Sequence, residues 1–212
     1  MRAEPPKAHA GLFFLPGKPN APFAIIAPGG GFAYVGSVHE GFPYAAAVSD
    51  AGLSAFVVKD RAGKGSGVAT QDLAAAIDFV FRNAARLDVD TRGYSLWGSL
   101  AGARMAASVG SHGVSSYGGP ELPKPAADVM AYTAHSDHAA TESPTFALVG
   151  DQDGIAPPTA MRQRVAALRR LGTEVDYREY PGVGHGFGLG VGTSAIGWID
   201  GAIRFWMRRQ SR

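Results

Sequence analysis

The segment Trp97-Gly98-Ser99-Leu100-Ala101-Gly102 constrains the fold of this chain more than any other. Before it, Tyr94 to Trp97 reads as a strand, and after it, Ala101 to Val109 reads as a helix. A strand that passes directly into a helix must turn sharply. The residues two before and two after the apex must then be small, because the chain crowds itself there. Gly98 and Gly102 meet that need if Leu100 is the apex. Centring the turn on Ser99 would put Trp97 and Ala101 at the tight positions, and an indole does not fit. The frame is that of a Gly-x-Ser-x-Gly elbow with leucine at the apex in place of serine. A Gly-x-x-x-Gly at a helix start is common by chance, so the rest of the chain has to decide.

That rest alternates short apolar runs with helical patterns, which predicts an α/β fold: a mostly parallel central sheet with helices on both faces. Strands are expected at Phe23–Ala27, Ala55–Lys59, Tyr94–Trp97, Val129–Tyr132, Phe146–Val149 and Glu174–Tyr180. Helices are expected over Glu40–Ala51, Thr70–Leu87, Ala101–Val109, Pro157–Leu171 and Ser194–Met207. Leu73, Ile77, Val80, Phe81 and Ala84 give the second of these an apolar stripe. There is no internal repeat and no linker, so residues 1–212 read as a single domain, a length that can bury a real core.

Composition narrows the function classes. Lys plus Arg is 20 against 18 Asp plus Glu, a formal charge of +2, which is no footprint for nucleic acid or membrane. The arginines at 162, 164, 169 and 170, and those at 204, 208, 209 and 212, lie in helical patterns and read as solvated faces. The absence of cysteine excludes disulfides, thiolate metal sites and a cysteine nucleophile. No apolar run reaches the length of a membrane span. Met1 to Ala10 lacks the apolar core of a signal peptide, so a cytoplasmic location is expected.

Three further segments carry chemistry. In Pro28-Gly29-Gly30-Gly31-Phe32, glycine removes the side chains that would block converging N–H groups, as an oxyanion hole requires. Val149 to Pro158 passes from a strand end through Asp151 and Asp153 into a helix start. A carboxylate there can orient a histidine. Asp153, deeper in the loop, is preferred, and Asp151 is read as a turn cap. In Gly182-Val-Gly-His185-Gly-Phe187-Gly, a histidine sits among four glycines in a loop, where core packing does not explain it. Histidine is the usual general base at neutral pH. The order apex, acid, base (100, 153, 185) is one that such sites use. His135-Ser136-Asp137-His138 is a second polar cluster. It lacks a distant third ligand and reads as a substrate rim, so neither metal nor cofactor is expected. Phe32, His39, His135 and Phe187 are the candidates for the substrate pocket, and Glu40, next to His39, is read as a further pocket residue.

These motifs resemble the α/β-hydrolase superfamily over about Phe23 to Trp206. The nearest branch is the small acetyl-esterase and lipase-like bacterial enzymes, with a Pro-Gly-Gly-Gly loop and a terminal His-Gly-Phe. The resemblance implies an α/β-hydrolase fold with a minimal cap, because little sequence separates the Val129 and Phe146 strands. It implies an oxyanion hole from Gly30, Gly31 and the N–H of Ala101, and Asp153 and His185 as triad members. Leu100 departs from the pattern at the serine. Lys59-Asp60-Arg61 departs again, with Asp60 where relatives often carry an aromatic residue. That strand end is expected to bring a negative charge near the site.

Without a hydroxyl at position 100 the ordinary acyl-enzyme cannot form. Ser99 is adjacent and is the one candidate for a substitute nucleophile, although neighbours at an elbow point different ways. Three functions follow: a carboxylic-ester hydrolase impaired by loss of its nucleophile; a non-covalent His185–Asp153 general base of the cyclase, lyase or cofactor-free oxygenase kind; or a non-catalytic binder. Each takes a small-molecule ligand, and the oligomeric state stays open.

Overall fold

A computed structural model describes residues 9–210. Its centre is a seven-stranded sheet of β1 (Gly11–Leu15), β2 (Ala21–Ala27), β3 (Ser54–Lys59), β4 (Val89–Ser99), β5 (Ala127–Ala131), β6 (Thr145–Gly150) and β7 (Val175–Tyr180), in the order β1-β3-β2-β4-β5-β6-β7. From β3 to β7 every pairing is parallel. Only β1 is antiparallel, from Gly11 opposite Lys59 to Leu15 opposite Ala55. The sequence reading passed over β1. Five residues ending before Pro16 are too few for periodicity to show, and β1 is a half-buried edge whose place is set by β3.

The central strands read as unbroken apolar runs because helices cover both faces. Along β2, Ala24 and Ile26 face one core cluster while Phe23, Ile25 and Ala27 face the other. The first cluster is closed by α1 (Phe42–Asp50), α5 (Pro158–Arg170) and α6 (Trp198–Met207). The second is closed by α2 (Gly65–Arg82) and α4 (Ala101–His112). All three indoles keep a partner for their N–H: Trp97 on Ser95 Oγ at 2.9 Å, and Trp198 and Trp206 on the carbonyls of Gly188 and Gly93, both at 2.8 Å.

Several boundaries moved for local reasons. The helix expected over Thr70–Leu87 starts earlier and breaks at Asn83, whose side-chain amide donates to the Phe79 carbonyl at 2.7 Å and competes with the helix. A single turn, α3 (Ala84–Leu87), follows and ends at Asp88, which has φ 53°. The last helix begins at Trp198, and residues 194–197 form the turn before it. Arg164 is not on a solvated face: it is buried on α5 and pairs with Glu142, which also accepts from Ser111 Oγ at 2.7 Å. Residues 1–8, which hold most of the segment read for a leader, and Arg212 lie outside the described residues. Among the described residues no helix is long and apolar enough to cross a membrane.

Candidate active site

The strand β4 runs to Ser99 and α4 starts at Ala101, so the whole reversal falls on Leu100, at φ 47° and ψ −107°. Leucine rarely adopts such a backbone, which costs of order 1–3 kcal/mol and persists only where the surroundings impose it. Here the Leu100 N–H donates to the Ala131 carbonyl on β5 at 3.0 Å, and the Leu100 carbonyl accepts from the Arg104 N–H at 3.2 Å. A Cβ added to Gly98 would overlap the backbone of Gly102, and one added to Gly102 would overlap the Ala27 carbonyl. Both glycines are small because α4 leaves the elbow against β2.

Asp153 and His185 meet at the same end of the sheet. Asp153 is held in the loop after β6, where its Oδ1 accepts the N–H groups of Ile155 (2.9 Å) and Ala156 (2.7 Å). His185 Nδ1 lies 2.8 and 2.9 Å from its two oxygens. The carboxylate side chain is fully buried and the imidazole is 15% exposed. An Nδ1–H donated to the acid leaves Nε2 as the free, basic nitrogen. Asp151, the competing carboxylate, is exposed and caps the neighbouring loop by accepting the Gly182 N–H at 2.7 Å.

The glycine loop is braced from beneath by Glu40, which was expected at the pocket and does not line the cavity at the apex, and by two tyrosines that sequence reasoning did not single out. A π-helical turn, Ser37–Gly41, points Glu40 inward. Its Oε2 accepts the Gly29 N–H at 2.6 Å, and its Oε1 accepts from the Tyr132 hydroxyl at 2.8 Å. Tyr132 reaches Tyr44 at 2.9 Å, and Tyr44 accepts from Ser99 Oγ at 3.3 Å. Burial pushes both phenols up, so they keep their protons and remain donors. Tyr132 also stacks edge-on to His185, 5.2 Å between centroids, so one buried network touches the glycine loop, the elbow and the histidine. The only signal for it was Glu40 itself, an acid beside an apolar helix start. Glu40→Ala is expected to cost about 2–3 kcal/mol by leaving a buried amide and a phenol unmet. Glu40→Gln should cost about 1 kcal/mol, because its carbonyl can still serve Gly29 while its amide serves Tyr132. Urea denaturation separates the two variants, and equal losses would contradict this role.

A cavity of about 220 Å³ opens at the apex, lined among others by Gly31, Phe32, Leu100, Ala101 and His135. Five of the expected residues therefore come together on one wall. Gly30, His39, Phe187, Ser99 and His185 do not line it. The Gly30 carbonyl instead accepts the N–H groups of Ala33 and Tyr34. His39 Nε2 donates to the Gly186 carbonyl at 2.7 Å and straps the glycine loop to the histidine loop. Phe187 packs on Tyr132, 4.7 Å between centroids. Ser99 is fully buried, with its hydroxyl turned to Tyr44. Leu100 is half-buried and packs on the core cluster that contains Tyr132 and Val183.

The charge expected from Asp60 is not delivered. Asp60 is buried beside a different cavity, with Ser37 and Lys64, and its neighbour Arg61 pairs with buried Asp72 at 2.7 Å. Burial, and then the Asp72 charge, push the Asp60 carboxyl up. A raised carboxyl holds its proton more tightly in the folded chain. Its contribution is full below the ordinary carboxylate pKa and is lost as pH rises through the raised value. Asp60→Asn is therefore expected to be the more stable chain at pH 7, by about 0.5 kcal/mol after solvent screening. The gain should vanish below about pH 3, where both states hold the proton. Denaturation at the two pH values checks this, and a pH-independent difference would contradict it. In the second polar cluster Asp137 accepts from His112 at 2.9 Å, and no group of three or more metal-ligating side chains occurs among the described residues.

The parallel sheet, the strained elbow and an acid–histidine pair at the carboxyl ends of the strands define an α/β-hydrolase fold. Solved structures agree. A carboxylesterase from Lactobacillus plantarum superposes with TM-score 0.78 at 22% identity, over 95% of this chain and 92% of that one. An α/β-hydrolase enzyme from a Medee basin deep-sea metagenome library gives 0.78 at 20% identity, over 91% and 86%. A sugar hydrolase from Lactococcus lactis gives 0.81 at 17% identity, over 96% of each chain. At these identities the likeness is one of fold. No protein-family profile and no curated protein sequence matches the chain.

Proposed function

We propose that this chain carries a carboxylic-ester hydrolase site whose covalent route is closed by Leu100, so that it binds small acyl compounds and turns esters over only slowly. The observation that carries this reading is the coexistence of two costly features: an elbow strained at φ 47°, and a buried carboxylate paired with His185. A leucine gains nothing from that backbone, whereas a nucleophile there would be raised clear of the chain. The N–H groups of Gly31 and Ala101, both on the cavity wall, are the proposed oxyanion donors. Asp153 and His185 are the proposed acid–base pair, and the esterases and hydrolases among the structural neighbours support the reaction class.

The intact Asp153–His185 bond also suits a non-covalent general base. Hydrolysis of p-nitrophenyl acetate by the chain, by Leu100→Ser and by Leu100→Ser/His185→Ala tests the proposal. The serine variant is expected to gain turnover and the double variant to lose it.

A further inference from the structure

A second cavity of about 360 Å³ adjoins the one at the apex, and the two share Arg104, Ala134 and His135. Arg104 lies on α4 one turn beyond the apex, about 6 Å along the helix. It is exposed and makes no ion pair among the described residues; Asp137 also lines the second cavity, but its carboxylate is bonded to His112. The cavity is also lined by Ser66 and Gly67, in the first turn of the 18-residue helix α2, which has no side-chain cap. Its first N–H groups therefore lack intrahelical partners, and the positive end of the helix faces the cavity. A Cβ at Gly67 would touch nothing within 4 Å, so that backbone is open to a ligand.

His135 supplies an independent sign. It is 9% exposed, it lines both cavities, and its Nε2 has no hydrogen-bond partner. A buried polar atom without a partner carries a desolvation cost. Burial, then Arg164 and Arg104, hold His135 down to about 4, so the ring is neutral at pH 7 and can give or take one hydrogen bond.

We infer that this second cavity is an anion subsite, which takes the distal carboxylate of a small acyl compound whose carbonyl sits at the apex. Arg104 matches a carboxylate with two parallel donors, and the first turn of α2 adds backbone N–H groups and partial positive charge. The ligand class is then the half-ester or half-amide of a short dicarboxylic acid, rather than the neutral acetyl ester that the cavity at the apex alone would suggest. The position of the carbonyl rests on the ester-hydrolase reading; the anion subsite does not.

Two measurements keep these readings apart. Calorimetric titration of the unmodified chain with glutarate and with butyrate tests the subsite. Glutarate should bind at least tenfold tighter than butyrate, Arg104→Gln should remove that preference, and Arg104→Lys should restore part of it. No preference for glutarate, a preference unchanged in Arg104→Gln, or binding of inorganic phosphate without glutarate overturns the proposal. In the Leu100→Ser background, the kcat/KM ratio of p-nitrophenyl hemiglutarate to p-nitrophenyl butyrate should fall about tenfold with Arg104→Gln, through KM. If Leu100→Ser is inert on both esters while glutarate still binds through Arg104, the ester-hydrolase reading fails and the subsite stands.

Discussion

Leu100→Ser is expected to raise turnover of p-nitrophenyl acetate by about 10³-fold or more over the chain as it stands. Position 100 already holds the strained apex backbone, with φ 47° and ψ −107°, and its amide is bound to Ala131. The acid–histidine bond is formed at 2.8 Å and does not wait for a substrate. A hydroxyl placed on this backbone would join an acid–histidine pair that is already assembled. Slow turnover by the parent chain would come from the oxyanion donors and binding alone, and should change little in His185→Ala. Members of such a site act as a unit, so Leu100→Ser/His185→Ala should lose nearly all that the serine conferred. Folding should survive, because Leu100 is only half-buried and its loss costs about 2 kcal/mol or less. A folded but inert serine variant would refute the ester-hydrolase reading and move the His185–Asp153 general base ahead.

The second large effect is on stability. Gly102→Ala would place a methyl group into the Ala27 carbonyl, with the Pro28 carbonyl close behind. Both neighbours are backbone at the end of β2, and no rotamer change can relieve the overlap. α4 would have to lift away from the strand it packs on, carrying the apex with it. Overpacking of a well-fitted interior costs 1–3 kcal/mol and occasionally more. A backbone clash at a central strand belongs at the upper end, about 3 kcal/mol, which for a chain of this size lowers Tm by about 6–12 °C. Gly154→Ala is the matching control. Its Cβ meets nothing within 4 Å and its φ is not positive, so a change within about 0.5 kcal/mol is expected. Thermal unfolding of the two variants side by side decides the matter. Equal Tm values would mean that the elbow is looser than its contacts indicate.

The glycines at 98 and 102 illustrate what could be read without coordinates. Chain crowding at a strand-to-helix turn is a local matter, so spacing alone placed the reversal at Leu100, where the backbone has φ 47°. The alternation of buried runs and amphipathic helices likewise follows from burial on two faces, which one chain segment reports about itself. Asp153 and His185, 32 residues apart, are bonded at 2.8 Å; their residue types and order suggested the pair before any distance was known. Less was legible where the deciding partner is remote. His39 binds a carbonyl 147 residues away, so its ring braces two loops and does not line the cavity. Glu40 meets Tyr132 across 92 residues. Arg164 resembled its exposed neighbours on α5, yet it is buried against Glu142.

The sequence by itself thus determined the parallel α/β architecture and the apex at Leu100, because each depends on backbone sterics or on burial within a short stretch; it suggested Asp153 and His185, and the fold brought them together. The tertiary structure alone decided that β1 closes the sheet edge, that Glu40 and two tyrosines support the glycine loop, and that Arg104 stands between two cavities without an ion pair among the described residues. Those features are set by which side chains meet across the sheet and where helix ends converge, and no periodicity along the chain encodes them.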